Sequence, residues 1–209
     1  MRKTHGIHAL SGCAIAIAAI CVAGGARAAA QTPFAIDSAR ITIAGTSNIH
    51  AYTASTSTVR VKRALIADAP DGVDMWANAL GPGGLDAFEI AIPAATLTSP
   101  KDGIDKTMHK ALQVVEHPDI VFRLLRIEPR AGTTGAARAT GVLQIAGVER
   151  EVALDLTTER NDGTLTVRGQ LQLLMTDYGI KPPTAMLGML KTDPKVTVAF
   201  ETVLAIPAT

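Results

Sequence analysis

Three histidines, His50, His109 and His117, are the side chains beyond residue 30 best suited to metal ligation or to proton transfer near neutral pH. A zinc hydrolase sets two histidines one helical turn apart with an acid beside them. Here His109 and His117 stand eight residues apart and no His-Glu-x-x-His string occurs, so the spacing argues against a metal centre. The chain has no Gly-x-Ser-x-Gly elbow, no Gly-x-Gly-x-x-Gly turn and no P-loop, which leaves a serine triad or a nucleotide cofactor without a recognisable seat. A second group, Asp177, Tyr178 and Lys181, lies in Met175-Thr176-Asp177-Tyr178-Gly179-Ile180-Lys181-Pro182-Pro183. Buried, such a trio polarises a carbonyl or holds a polar head group; exposed, it is an ordinary charged turn, and the residues alone leave both readings open. The apolar stretch after it carries Met186 and Met189, which suit either the lining of a flexible apolar site or a gap in a core.

The elements that must position these groups are mostly strands. Val152, Leu154 and Leu156 alternate with Ala153, Asp155 and Thr157. Leu165, Val167, Gly169, Leu171 and Leu173 alternate with polar residues, as do Val196, Val198, Phe200, Thr202 and Leu204. A period of two with one wet face is the mark of antiparallel sheet. Asn161-Asp162-Gly163 between two such runs predicts a hairpin. Further alternating runs at 36–44, 58–64, 86–92, 120–127 and 141–148 bring the expectation to about eight strands, suited to a closed barrel or a sandwich. One segment has helical spacing: Ile104, Met108, Ala111, Leu112 and Val115, with Asp102 as the expected N-cap and His117-Pro118 as the stop. A lone amphipathic helix in such a chain is expected to cover an open barrel end or a sheet edge.

The 209 residues, 47% of them hydrophobic, suffice for a real core and exclude a disordered chain. Arg2, Lys3 and Arg27 precede the first acid, Asp37, and an Ala/Ile/Val-rich run from Ala9 ends in the small-x-small sites Ala26-Arg27-Ala28 and Ala28-Ala29-Ala30. Residues 1–30 therefore read as a secretory signal that is cleaved, leaving a single domain over 31–209. Leu10-Ser11-Gly12-Cys13 resembles a lipobox, but most of the apolar run follows that cysteine, so it reads as coincidence. Both cysteines, Cys13 and Cys21, fall in the removed segment, so no disulfide, thiol or cysteine–zinc chemistry is expected. The remaining body has 17 basic and 19 acidic residues and no later stretch long enough to span a membrane, so neither nucleic acid nor stable membrane insertion is expected.

Gly45-Thr46-Ser47-Asn48-Ile49-His50, then Met108-His109-Lys110-Ala111-Leu112 running on to His117-Pro118-Asp119-Ile120-Val121-Phe122, then Gly141-Val142-Leu143-Gln144-Ile145-Ala146-Gly147-Val148, resemble in order and spacing the YceI-like family of bacterial periplasmic polyisoprenoid-binding proteins. Met175-Thr176-Asp177-Tyr178-Gly179-Ile180-Lys181-Pro182-Pro183-Thr184-Ala185 is similar to one branch of it. The resemblance implies an all-β, eight-stranded antiparallel lipocalin-like barrel with a short helix near its mouth and a long isoprenoid chain inside. It brings no catalytic residues and no cofactor. The aromatic often found after the family's histidine is here Tyr52, displaced by Ala51.

An eight-stranded barrel is either packed solid or holds one slim ligand. Alternation selects Phe88, Ile90, Phe122, Leu124, Leu143, Ile145, Leu171, Leu173 and Phe200, with Met186, as the apolar lining. His50, Asp177, Tyr178 and Lys181 are the expected polar groups at the mouth. The leading expectation is a non-catalytic periplasmic carrier or store for a polyisoprenoid, such as a quinone or isoprenoid phosphate, or a similar long-chain amphiphile. The alternatives are a filled barrel acting as an envelope-stress or protein-interaction module, and a lipid-modifying enzyme using His50 or the Asp177/Lys181 pair. A homodimer is left open.

Overall fold

The computed structural model describes residues 33–68, 72–161, 163–185 and 189–206. The expected signal segment, Asp162 in the predicted hairpin turn and Met186 lie outside the described residues. Among the described residues there are ten strands: β1 (Ala35–Ser47), β2 (Ala51–Thr56), β3 (Arg60–Ile66), β4 (Leu85–Pro93), β5 (Asp119–Pro129), β6 (Ala136–Ile145), β7 (Val148–Asn161), β8 (Thr164–Leu174), β9 (Thr184–Ala185) and β10 (Leu190–Ala205). Two α-helices, α1 (Met75–Ala79) and α2 (Asp102–Ala111), and two 3-10 turns (Ala94–Thr96, Met175–Tyr178) are the other elements among the described residues.

Nine strands pair in the order β2-β1-β10-β8-β7-β6-β5-β4-β3, while β9 adds a two-residue ladder to β10. Every pair is antiparallel. The terminal strands β2 and β3 share no ladder, so the sheet is a half-barrel with two edges and not the closed eight-stranded barrel expected. Of the nine strands in this order, the one missing from the sequence reading is β2. Its sequence, Ala-Tyr-Thr-Ala-Ser-Thr, buries Ala54 and Thr56, side chains too small and too polar to register as hydrophobic alternation. Its edge is partly covered: Ser55 forms an antiparallel bridge with Thr98. The other edge, β3, carries Arg60, Lys62 and Arg63, charges that discourage pairing with another chain.

Two expected boundaries also move. The run 141–148 is not one strand, because Ala146 (φ 47°) and Gly147 (φ 78°) form the turn between β6 and β7. Two central residues at positive φ match the right-handed twist of the strands they join. Helix α2 ends at Ala111, so Val115 falls outside it and is 87% exposed. Lys101, not Asp102, occupies the N-cap position; the first turn is tied down instead by Asp105 Oδ1, which accepts the Ser99 N–H at 2.7 Å. The short α1 was not anticipated. Asp74 caps it by accepting the Ala77 N–H at 2.9 Å, and Arg160 donates to the same oxygen at 2.8 Å. These partners hold the Asp74 carboxyl below its ordinary value, the Ala77 hydrogen bond contributing most.

Helix α1 brings Trp76 to Phe34 (ring centroids 5.7 Å apart), and Phe34 also touches Phe88 at 6.0 Å. With Ala64, Leu165 and Leu204 this cluster closes one end of the half-barrel. Trp76 Nε1 donates to Gly163 O at 3.3 Å, so the indole is buried with its polar atom satisfied. At the other end α2 lays Met108, Ala111 and Leu112 against the cluster of Ile41, Ile92, Leu97, Ile120, Ile145, Tyr178 and Ile180.

Candidate functional site

Inside the curved sheet lie two voids, an outer chamber of about 320 Å³ and an inner one of about 190 Å³. Both are lined in common by Ile41, Ile92, Leu143, Leu171 and Val198, which form the waist between them. Among the described residues, only the outer chamber has exposed residues in its lining, His50, Gly103, Thr107 and Thr184, so this end is the mouth. The inner chamber ends on Phe34 and Trp76. A combined volume of this size falls within the range of sites for small molecules, about 300–1,000 Å³.

Among the described residues no Asp, Glu, Lys or Arg lines either chamber. In the inner chamber Thr202 and Trp76 alone carry polar side-chain atoms, and the indole N–H is already used. This wall follows from strand geometry: one face of β7, β8 and β10 presents Val152, Leu154, Leu156, Leu165, Val167, Leu171, Val198, Phe200, Thr202 and Leu204 to the lumen. Many of these side chains are only half-buried although they face inward, because the lumen is not filled by their neighbours.

The outer chamber is where polar groups collect. Ser47, His50, Tyr52, Thr107, Thr184 and Thr192 line it near the opening. Ser47 is committed to its own turn, donating to His50 O at 2.9 Å and accepting the His50 N–H at 3.1 Å. Asn48 fastens this hairpin to the chain leading into β10: its Nδ2 donates to Met189 O at 2.8 Å and its Oδ1 accepts the Lys191 N–H at 2.8 Å. Tyr52 is half-buried, and burial first, then the nearby Asp193 carboxylate, raise its phenol above the ordinary value. It stays protonated and can donate a hydrogen bond into the chamber. Helix α2 also walls this chamber: its Ile104, Met108 and Ala111, with the C-cap Leu112, face the void while His109 Nε2–H donates to Leu97 O at 2.8 Å.

Phe88, Ile90, Phe122 and Leu124 line the inner chamber together with Phe200; Ile145 and Leu173 line the outer; Leu143 and Leu171 stand at the waist. Among the expected polar groups, only His50 reaches a chamber. Tyr178 is 2% exposed and packs in the core with Ile180, where burial above all raises its phenol. Asp177 and Lys181 are exposed and line neither void, so the Asp177/Lys181 pair does not face the interior. The reason is local: Met175–Tyr178 is a 3-10 turn, which rotates successive side chains by about 120° and sends Tyr178 inward while its neighbour points out. Tyr52, Trp76, Phe34 and the inner face of α2 were not singled out as site residues. The helical spacing of Ile104, Met108, Ala111 and Leu112 was visible in the sequence, but not which surface it covers. No three His, Cys, Asp or Glu side chains gather at metal-binding distances among the described residues.

A nine-stranded antiparallel half-barrel, helix-capped at its mouth and hollow along a hydrocarbon wall, defines a class of proteins built around an apolar cavity. Within that class the chain belongs to the YceI-like family, whose domain model matches residues 34–204. Its fold is similar to that of Burkholderia cenocepacia BcnA (16% identity, TM-score 0.61), covering 82% of this chain and 96% of that one. A polyisoprenoid binding domain from Saccharophagus degradans is similar at 13% identity and TM-score 0.61, covering 85% of this chain and all 100% of that one. The Campylobacter jejuni YCEI protein is similar at 15% identity and TM-score 0.52, with 73% and 85% covered. No curated protein sequence matches the chain. At these identities the likeness to solved structures is one of fold.

Proposed function

We propose that this protein is a non-catalytic carrier or store, exported to the periplasm, that holds a polyisoprenoid or similar long-chain amphiphile with its tail in the chambers and its head at the mouth. The observation that carries this reading is the hydrocarbon lining of two voids that meet at a waist. Removing a tail from water contributes about 0.8 kcal/mol per CH2, offset by the cost of ordering it. The Saccharophagus relative supports the tail's chemistry by its description as polyisoprenoid-binding. Export is supported by the positive start, apolar run and small-x-small sites of residues 1–30, and the lipocalin-like character of the fold by the curled sheet around an apolar lumen.

The lining also speaks to the head group. Among the described residues no Lys or Arg faces either chamber, so an anionic phosphate drawn inside would lose its water without gaining such a partner. An uncharged head that accepts a hydrogen bond from Tyr52 or His50 fits instead.

The test is to express the full chain in a bacterial host, purify the exported protein without detergent, extract it with organic solvent and identify the extract by mass spectrometry. A stoichiometric isoprenoid is expected. Protein that arrives empty, and stays empty after incubation with quinones and prenols, overturns the carrier reading and moves the weight to a protein-interaction module. Turnover of an added lipid would instead establish the enzyme.

A further inference from the structure

The bore of the lumen depends on residues that have no side chain. Gly169 on β8 stands directly opposite Phe200 on β10 and directly opposite Leu156 on β7. Ile41 on β1 faces Phe200 from the other side. One row across the wall therefore reads Leu156, Gly169, Phe200, Ile41, and the Phe200 ring lies over the glycine. A Cβ added at Gly169 would fall 2.5 Å from Phe200 Cζ, 2.7 Å from Cε1 and 3.0 Å from Leu156 Cδ2, all of them side-chain atoms. Gly141 underlies Phe122 in the same manner, with its added Cβ 2.5 Å from Phe122 Cζ. There Arg123 O also lies 2.7 Å away, so a methyl would disturb the backbone as well.

Gly169 is the cleaner of the two. A methyl at this position meets first the ring and the end of Leu156, and Leu156 and Ile41 flank the ring along the wall. The open direction is the lumen. Phe200 lines the inner chamber next to the waist, where Ile41 and Val198 stand. A ring turned inward there occupies the passage between the chambers.

We infer that Gly169 is a specificity-determining residue: by letting Phe200 lie along the wall it keeps the waist passable, and so sets the length of apolar tail that the protein accepts. This rests on the carrier reading above and adds to it a limit on chain length. A tail that ends in the outer chamber is indifferent to residue 169, whereas a longer one must pass Phe200.

The sequence contains a single tryptophan, Trp76, and it lines the inner chamber, so the protein carries its own depth gauge. Bromine at the end of an alkyl chain quenches an indole that it touches. The probes are 16-bromohexadecan-1-ol and 8-bromooctan-1-ol, with binding measured by calorimetry and depth by Trp76 fluorescence on the purified exported protein. The wild type is expected to bind both, with strong quenching by the long probe. Gly169→Ala is expected to bind the long probe about tenfold more weakly without quenching, and the short probe within about twofold of wild type. Adding Phe200→Leu to Gly169→Ala removes the displaced ring and is expected to restore both long-probe affinity and quenching.

A Gly169→Ala protein that binds and quenches as wild type does overturns the inference, as does a wild type that binds the long probe without quenching. If Gly169→Ala alone loses its fold, the double variant carries the test: exclusion of the long probe when no ring is left to displace also overturns it. A wild type that binds neither probe overturns the carrier reading itself, and the inference falls with it.

Discussion

On the proposed reading, Tyr52 is the residue on which head-group recognition turns. Its ring lies over Gly45, its directly opposed partner on β1, and its phenol reaches the outer chamber, where the remaining polar groups are hydroxyls and one imidazole. Removing the hydroxyl as Tyr52→Phe keeps the ring and deletes one donor. The expected cost is about 1 kcal/mol, roughly fivefold in affinity, for a long-chain ketone, and none for the alkane of equal length. Because burial and Asp193 raise the phenol above its usual value, the neutral donor persists as pH rises, so the discrimination should be flat from neutral pH up to pH 9 and fade only beyond the ordinary tyrosine range. Paired titrations of both ligands at several pH values check this; an equal loss for ketone and alkane would remove Tyr52 from head-group recognition. Inward-facing parity was legible in the sequence because a strand has a period of two, as Leu171 and Leu173 show at the waist and in the outer chamber. The mouth was not. Asp177, Tyr178 and Lys181 are neighbours in sequence, but a 3-10 turn divides them between core and solvent, whereas Tyr52 sits in a strand that hydrophobic alternation does not reveal.

Long strands whose inner faces carry Leu, Val and Phe announce themselves, as β7, β8 and β10 do. Elements held by small or polar residues, such as β2, or set by a cap and one aromatic, such as α1, depend on tertiary partners that the local sequence does not name. Helix α2 lies between these cases: its apolar face was legible, its length was not, because the stop is a backbone event. Gln113 follows the C-cap Leu112 with φ 54°, the left-handed conformation that ends a helix and that glycine adopts without strain. It is exposed, so its side chain contributes little packing there. Gln113→Gly should therefore raise stability by up to about 1 kcal/mol, the relief of a left-handed non-glycine residue less the greater freedom of glycine in the unfolded chain. Urea unfolding of the two proteins measures the difference. A destabilised variant would show that Gln113 makes a contact worth more than the strain. Since α2 walls the outer chamber, the same substitution at the end of the lid should leave ligand affinity unchanged, and a large change in affinity would mean that lid fraying takes part in loading.

At the scale of the molecule the two ends of the half-barrel are built on opposite principles. One is sealed: Phe34 is among the most deeply buried large side chains, held against Trp76 and Phe88, with Asp74–Arg160 outside it. The rest of the lumen is left open, and a phenylalanine such as Phe122 touches the inner void on one side. Phe34 borders the void where it ends, but it is 2% exposed and held by Trp76 and Phe88, so truncation loses those contacts and Phe34→Ala should cost about 3–5 kcal/mol. Phe122 is only half-buried and faces the void, so it has fewer contacts to lose and its truncation enlarges a cavity that exists; Phe122→Ala should cost about 2 kcal/mol or less in the ligand-free protein. The order must change when the lumen is occupied. Ligand at a hundred times its Kd adds about 2.7 kcal/mol to the wild type, but adds less to Phe122→Ala, whose tail contacts are poorer. The gap between wild type and Phe122→Ala should thus widen on loading, while the gap for Phe34→Ala, at the sealed end, moves less. Urea unfolding of the three proteins with and without ligand decides it. Equal costs for Phe34 and Phe122 in the stripped protein are the signature of a filled interior, because Phe122 would then be packed as tightly as Phe34.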